Sequence, residues 1–307
     1  MLPLFSDFAE AANISQDSRS YQNYIQGLLS DVSGEYQDAK RAYKKAVESD
    51  TGAWDAHYRL ALDYIRLKDF KNATKELQSA LKLKPYDEES RFLLACIYAY
   101  SSQPDEAIKE CRKLLERPLL ILNESDVRYS LVQLYVTKKD WVNAEVECKA
   151  ILKNNPNDSN THFYLGFIYS EFSTKEMAVS ELRKALEINP DNVLALNSLS
   201  YVYAEQGENL DDALSLAQKA LEIDPSNGSF LDTMGWVYFK RGDLNNALKY
   251  LESASALSND AEVFDHLGEV YYKMGKNKEA VKSWQKSLAI EPGKKQIQEK
   301  IKTLNKK

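Results

Sequence analysis

The chain has 307 residues, a formal net charge of −6, 44% hydrophobic residues and 28% charged residues. That composition holds enough apolar material for a large core and excludes global disorder. The acidic balance argues against a dedicated nucleic-acid binder, which carries a basic stripe. No apolar run reaches the ~18 residues that a membrane-spanning helix needs.

The N-terminal stretch from Met1 to Phe8 has neither a basic region nor a long apolar run. It is therefore not an intact secretory signal, which makes the cytoplasm the default compartment. A leader already removed, with a periplasmic or cell-envelope location, is the alternative. Leu4, Phe5, Phe8 and Ala12 suit a short helix that covers the next element, or a docking segment.

From residue 20 the chain repeats itself. Alanines recur at Ala39, Ala73, Ala107, Ala144, Ala178, Ala213, Ala247 and Ala280, spaced 34, 34, 37, 34, 35, 34 and 33 residues apart. About nineteen residues before most of these alanines a first helix begins, and the alanine lies on a second. The first helix carries a tyrosine at Tyr64, Tyr98, Tyr135, Tyr169, Tyr203, Tyr238 and Tyr271. Three residues earlier stands a small residue in most units: Ala61, Ala95, Gly166, Ser200, Gly235 and Gly268. Small residues there let the second helix approach closely. Gly34, Gly207, Gly242 and Gly275 fall between the two helices, where a left-handed cap is needed. Pro85, Pro156, Pro190, Pro225 and Pro292 stop the second helices. One helix pair cannot bury its own apolar faces, so the pairs must stack.

This pattern resembles the tetratricopeptide repeat (TPR) proteins, clearly so in Leu165-Gly166-Phe167-Ile168-Tyr169 followed by Ala178, Leu182, Ala185 and Pro190. Phe230 to Tyr238, with the preceding turn, is similar to stretches of bacterial multi-repeat members. The resemblance implies an all-α, right-handed superhelical solenoid of about eight repeats with terminal caps. The expected units are 20–53, 54–87, 88–124, 125–158, 159–192, 193–227, 228–260 and 261–292, with an extension at 1–19 and a capping helix at 293–307. Three departures stand out. The family's tryptophan column reads Asn23, His57, Arg91, Arg128, His162, Leu196, Leu231 and Phe264. The first unit has Gln26 and Ser30 where leucine and tyrosine are usual. The segment from Arg117 to Glu124 is three residues longer than normal and reads as a tolerated loop rather than a hinge.

No catalytic, cofactor or metal signature is present: there is no phosphate-binding glycine loop, no Cys-x-x-Cys and no His-Glu-x-x-His. His57 and His162 read as packing or capping residues of the repeat. His266 with Asp232, Asp265 and Glu269 is the one tempting cluster. Helix axes ~8–10 Å apart make a shared ligand sphere hard to reach, so it reads as a charged, solvated groove. Cys111 and Cys148 take the core column of Leu182 and Leu251, while Cys96 points to the inner face.

The resemblance implies a non-catalytic scaffold that binds a protein or peptide segment on the concave face of the first helices. The inward positions are Tyr58, Arg66, Phe92, Tyr129, Gln133, Phe163, Phe167, Asn197, Tyr201, Asp232, Trp236, Asp265 and Glu269. Aromatic rings in the middle supply contact area at low entropic cost. The acidic C-terminal end selects a basic partner segment. Neither nucleic acid nor direct membrane insertion is expected, and no cofactor. The alternatives are a self-assembling homo-oligomer of the bacterial envelope or a recruiting subunit of a larger enzyme complex.

Overall fold

The computed structural model describes the backbone of residues 4–304 and the side chains of residues 18–304. Among the described residues there are helices and no strand. They are α1 (Leu4–Val32), α2 (Tyr36–Ser49), α3 (Trp54–Arg66), α4 (Phe70–Leu83), α5 (Glu88–Tyr100), α6 (Pro104–Leu114), α7 (Glu124–Thr137) and α8 (Trp141–Asn154), followed by α9 (Ser159–Phe172), α10 (Lys175–Ile188), α11 (Val193–Gln206), α12 (Leu210–Ile223), α13 (Gly228–Lys240), α14 (Leu244–Leu257), α15 (Ala261–Lys273), α16 (Asn277–Ile290) and α17 (Lys295–Leu304). The chain divides into two compact units, residues 1–147 and 148–307. Within each unit, consecutive helices pair and each pair packs on the next. None of these helices is long and apolar enough to cross a membrane.

Local chemistry sets the helix ends. Asp87, Asp158, Asn192 and Asp243 sit just before α5, α9, α11 and α14, and their side chains accept first-turn N–H groups. These caps satisfy donors that the helix itself leaves unpaired. Between most paired helices, though not between α9 and α10, the chain turns through a left-handed residue. Gly242 takes φ +83° there at no steric cost. Lys68, Ser102 and Lys139 take the same conformation, at φ 59°, 56° and 57°, with a β-carbon in the way.

The small position of each first helix faces the core column of the second. A β-carbon on Gly166 would lie 2.5 Å from Leu182 Cγ, and one on Gly235 would lie 2.6 Å from Leu251 Cγ. Where serine replaces glycine, the Ser200 hydroxyl donates to the Ala213 carbonyl at 2.7 Å, so the polar atom is satisfied inside the contact. The first pair obeys the same rule despite its unusual residues: Gly27 lies against the buried Tyr43 ring.

The tryptophan column carries a device not read from the sequence. His57, Arg91, Arg128 and His162 each pair with a glutamate nineteen residues later on the second helix of their own pair. The distances to Glu76, Glu110, Glu147 and Glu181 are 2.6, 2.5, 2.6 and 2.6 Å. His57, Arg91 and His162 also donate to the carbonyls of Thr51, Pro85 and Pro156, six residues earlier. In the next two pairs the column turns apolar, and Leu196 and Leu231 pack against Leu216 and Tyr250.

Three further features bear on the sequence reading. α1 runs unbroken through residue 20, where an extension was expected to give way to the first repeat. Leu4, Phe5, Phe8 and Ala12, read as a cap, lie outside the residues whose side chains are described. The long segment after α6 is anchored: the Glu88 carboxylate accepts the N–H groups of Leu120, Ile121 and Leu122 at 2.7, 2.9 and 2.9 Å. At the other end, Ile297, Ile301 and Leu304 of α17 pack on Ala280 and Trp284.

Two stability changes follow from this geometry. Gly166→Val drives a side chain into Leu182 and the Ala178 carbonyl, so it is expected to destabilise by about 1–3 kcal/mol. Lys139→Gly relieves a left-handed lysine and is expected to stabilise by about 0.5–1 kcal/mol after the entropic cost of glycine. Urea unfolding midpoints of the two variants check both signs.

Candidate functional site

Each unit has its own cleft lined by first helices. In residues 1–147 the cleft measures about 540 Å³, between α5 and α7. Phe92, Ala95, Cys96 and Ala99 line it from α5, and Ser130, Gln133, Leu134 and Thr137 from α7. Its wall is mostly apolar, with exposed Gln133 at the rim. Thus the structure brings Phe92 and Gln133 together. Tyr129 is half-buried on the same helix. Tyr58 stands apart, its ring stacked on Trp54 with centroids 5.8 Å apart. Arg66 is engaged by Asp31 and Asp63, and its guanidinium lies 4.7 Å from the Tyr36 ring.

In residues 148–307 a cleft of about 240 Å³ is lined by Phe167, Asn197, Tyr201 and Asp232, together with Glu171, Asp260 and Glu262. No lysine or arginine lines it. The Tyr201 hydroxyl donates to Glu262 Oε1 at 2.5 Å. Burial first, and then the negative charge of Glu262, pushes that phenol's pKa well up, so it stays protonated.

Beneath this cleft lies a buried charge pair. His266 Nδ1 sits 3.0 and 3.1 Å from the two oxygens of Asp232. The Trp236 ring stacks on the imidazole, with centroids 3.9 Å apart, and on Phe239 at 4.8 Å. The Trp236 indole donates to Glu205 at 2.7 Å, and Lys240 approaches the same carboxylate at 3.3 Å. This corrects the solvated groove expected around His266. The His266 and Asp232 side chains are only 8% and 9% exposed, because α13 and α15 bring them directly into contact. Burial opposes the charged imidazole, but Asp232 more than offsets it and holds the His266 pKa above its ordinary value.

The remaining expected residues fall in two places. Phe163 and Trp236 are each 8% exposed and belong to one core cluster with Leu199 and Val202, so they form the floor of this region. Asp265 and Glu269 are met by Lys300 of α17, which bonds Glu269 and lies 3.6 Å from Asp265. The acidic end is therefore partly neutralised from within the chain. Cys111 and Cys148 are core residues, and burial pushes the Cys111 thiol up to about 12. Among the described residues no group of three or more His, Cys, Asp and Glu side chains could hold a metal ion.

Family models described as tetratricopeptide repeat match residues 26–88, 160–192, 181–214, 229–260 and 261–294, together more than half of the chain. The chain belongs to the tetratricopeptide repeat family. Over 195 residues this TPR protein is 23% identical to Anaphase-promoting complex subunit 3 of Schizosaccharomyces pombe, a match that covers 62% of this chain and 27% of that one. It is 34% identical over 199 residues to a TPR repeat-containing protein of Methanocaldococcus jannaschii, covering 62% of this chain and 35% of the relative. It is 28% identical over 163 residues to the human protein O-mannosyl-transferase TMTC3, covering 52% of this chain and 17% of the relative. The chain thus spans about a third or less of the length of these relatives. Among solved structures, a TPR protein of Thermus thermophilus aligns at 19% identity and a TM-score of 0.45, over 71% of this chain and 98% of that one. TPR arrays serve in general as scaffolds for protein–protein interaction, because stacked helix pairs present extended surfaces.

The buried pair gives a test with a definite sign. His266→Gln removes the cation and leaves Asp232 buried, at an expected cost of about 3–5 kcal/mol. The native His266 pKa lies above the unfolded value of about 6.5. Its stabilisation is therefore complete below pH 6.5 and lost as pH rises through the raised pKa. His57, raised by its bond to Glu76, acts in the same direction. Urea midpoints between pH 6 and 9 should fall less steeply in the glutamine variant than in the wild type.

Proposed function

We propose that this TPR protein is a non-catalytic scaffold that binds segments of partner proteins on its first helices and so organises a multiprotein assembly. The apolar cleft by Phe92 and Gln133 takes an apolar side chain. The cleft by Phe167, Asn197, Tyr201 and Asp232 takes a lysine or arginine. The observation that carries this reading is the second cleft: besides Asp232, which His266 already pairs, Glu171, Asp260 and Glu262 line it with no lysine or arginine, beside aromatic walls. No chemistry is assigned to the buried His266–Asp232 pair, which lies under Trp236. Membership of larger assemblies has support in the relatives, one of which is named as a subunit of the anaphase-promoting complex.

A peptide array tests the proposal. Bound segments should be enriched in lysine and arginine, and binding should weaken as salt rises. Glu171→Gln with Glu262→Gln should lose the basic preference, and Phe92→Ala with Gln133→Ala should lose the apolar one. Equal binding by wild type and both variants, or no basic preference, would overturn it. Trp236→Ala is a poor probe, because truncating a buried ring costs about 3–5 kcal/mol of stability.

One observation favours a second reading, self-association. Tyr21, Ile25, Leu29 and Val32 line one face of α1 and are 67%, 37%, 58% and 89% exposed. In a homo-oligomer Leu29→Glu with Val32→Glu would shift sedimentation toward monomer. A wild-type monomer at every concentration removes this reading.

A further inference from the structure

Where α1, α2 and α3 meet, two carboxyl groups share one cation. Asp31 of α1 and Asp63 of α3 both accept from the same nitrogen, Arg66 Nη1, at 2.6 and 2.9 Å. The Tyr43 hydroxyl of α2 donates to the other oxygen of Asp31 at 2.9 Å. The side chains of Asp31 and Asp63 are 10% and 0% exposed. Asp63 Oδ2 has no hydrogen-bond partner at all.

Charge arithmetic makes this arrangement untenable with both carboxyls ionised. Two carboxylates against one guanidinium leave a surplus negative charge in a buried place, and the orphan oxygen of Asp63 would be a bare anion. A buried group in that position neutralises itself instead. A proton on Asp63 cures both defects. It removes the surplus charge, and it turns the orphan acceptor into a donor for the neighbouring Asp31.

None of the other surrounding charged groups forms an ion pair with Asp63 among the described residues. On α3 itself, Arg59 faces Tyr24 of α1, and its charge also bears on Tyr43 and Asp31 but not directly on the orphan oxygen of Asp63. α2 brings Tyr36, which lies against Arg66, and Lys40, which lies over the Tyr64 ring at 5.9 Å. α4 brings Glu76, held by His57, and Asp69, which caps its own helix at Asn72. From α5, Glu89 reaches toward Tyr58. Among the described residues, Arg66 is the cation paired with Asp63.

We propose that the first two helix pairs are fastened by a proton-operated latch, in which a proton held on Asp63 and donated toward Asp31 ties α1 to α3 while it is held and loosens the junction when it leaves. Burial, and next the charge of Asp31, push Asp63 up to about 7 against the opposing pull of Arg66. The sign follows. The unfolded carboxyl titrates near 4, so between pH 4 and 7 the native state holds a proton that the unfolded state has lost. Stability from the latch is greatest below about pH 4, declines as pH rises from about 4 to 7 and is fully lost above the folded pKa. The junction thus goes on responding from about pH 5 up to neutrality, a range in which an ordinary aspartate is silent.

Amide hydrogen exchange on the full chain, corrected for the intrinsic pH dependence of exchange, tests this. Protection in residues 18–32 and in α3 should fall by about tenfold per pH unit between about pH 4 and 7 in the wild type and level off above about pH 7. In Asp63→Asn the amide donates to Asp31 without titrating, so that decline should be absent. His57 on the same helix titrates in both chains and cancels in the comparison. A parallel decline in both chains would overturn the latch. Should the asparagine variant not fold, carbon-13 NMR titration of the wild-type Asp63 carboxyl decides the matter. A midpoint near 7 supports the shared proton, and one near 4 refutes it.

Discussion

The close approach of two helices within each pair is the constraint on which the rest of this molecule depends. It is set in most pairs by one small position on the first helix. At Gly166 and Gly235 even a methyl group would strike the leucine opposite, and at Ser200 the hydroxyl is accommodated only because a carbonyl of the facing helix accepts its hydrogen bond. Once that distance is fixed, the second-helix column of Leu77, Leu182 and Leu251 is driven to full burial. The outer faces of the pair then need a further pair to cover them. A repeat of this kind cannot stop at one copy, because each copy leaves an apolar face for the next.

Charge is handled in two ways around that frame. From His57 to His162 the family's tryptophan position is filled by a histidine or arginine that meets a glutamate of its own pair. From Leu196 onward an aliphatic or aromatic side chain does the same spatial task. Both solutions fill the space that one large ring would occupy. The polar one ties the first helix to the second through a bond of defined direction, and in three of the pairs the same side chain also donates to a carbonyl at the mouth of the preceding turn. Its contribution is positional as much as energetic, since desolvation consumes much of the Coulombic gain of a partly buried pair.

The candidate binding surface is made from the same inward stripe that builds the core, and this explains its uneven character. Phe163 and Trp236 point inward as the repeat requires but are consumed by packing, while Phe167 and Tyr201, at neighbouring inward positions, remain at the wall of a cleft. Asp265 and Glu269 have the right register to meet a partner, and Lys300 of α17 reaches them first. Position in the repeat assigns a side to each residue. Its availability depends on what the adjoining helices bring.

The period, the helix pairs, their stops and turns, and the membership of the family were all legible in the chain, because each rests on local rules: small residues at a fixed offset, prolines after the second helices, glycines where φ is positive. The glutamates nineteen residues after His57, Arg91, Arg128 and His162 were legible too, had the spacing of opposite charges been compared with the repeat. Other features were decided only by tertiary contact. These are the burial of His266 against Asp232 beneath Trp236, the capture of the acidic end by Lys300, the anchoring of residues 120–122 by Glu88, and the convergence of Asp31 and Asp63 on one guanidinium. Most of them join residues about thirty or more positions apart, so no local pattern announces them. Each depends on which rotamer brings two particular atoms within about 3 Å of each other, a choice made by the packing of whole helices.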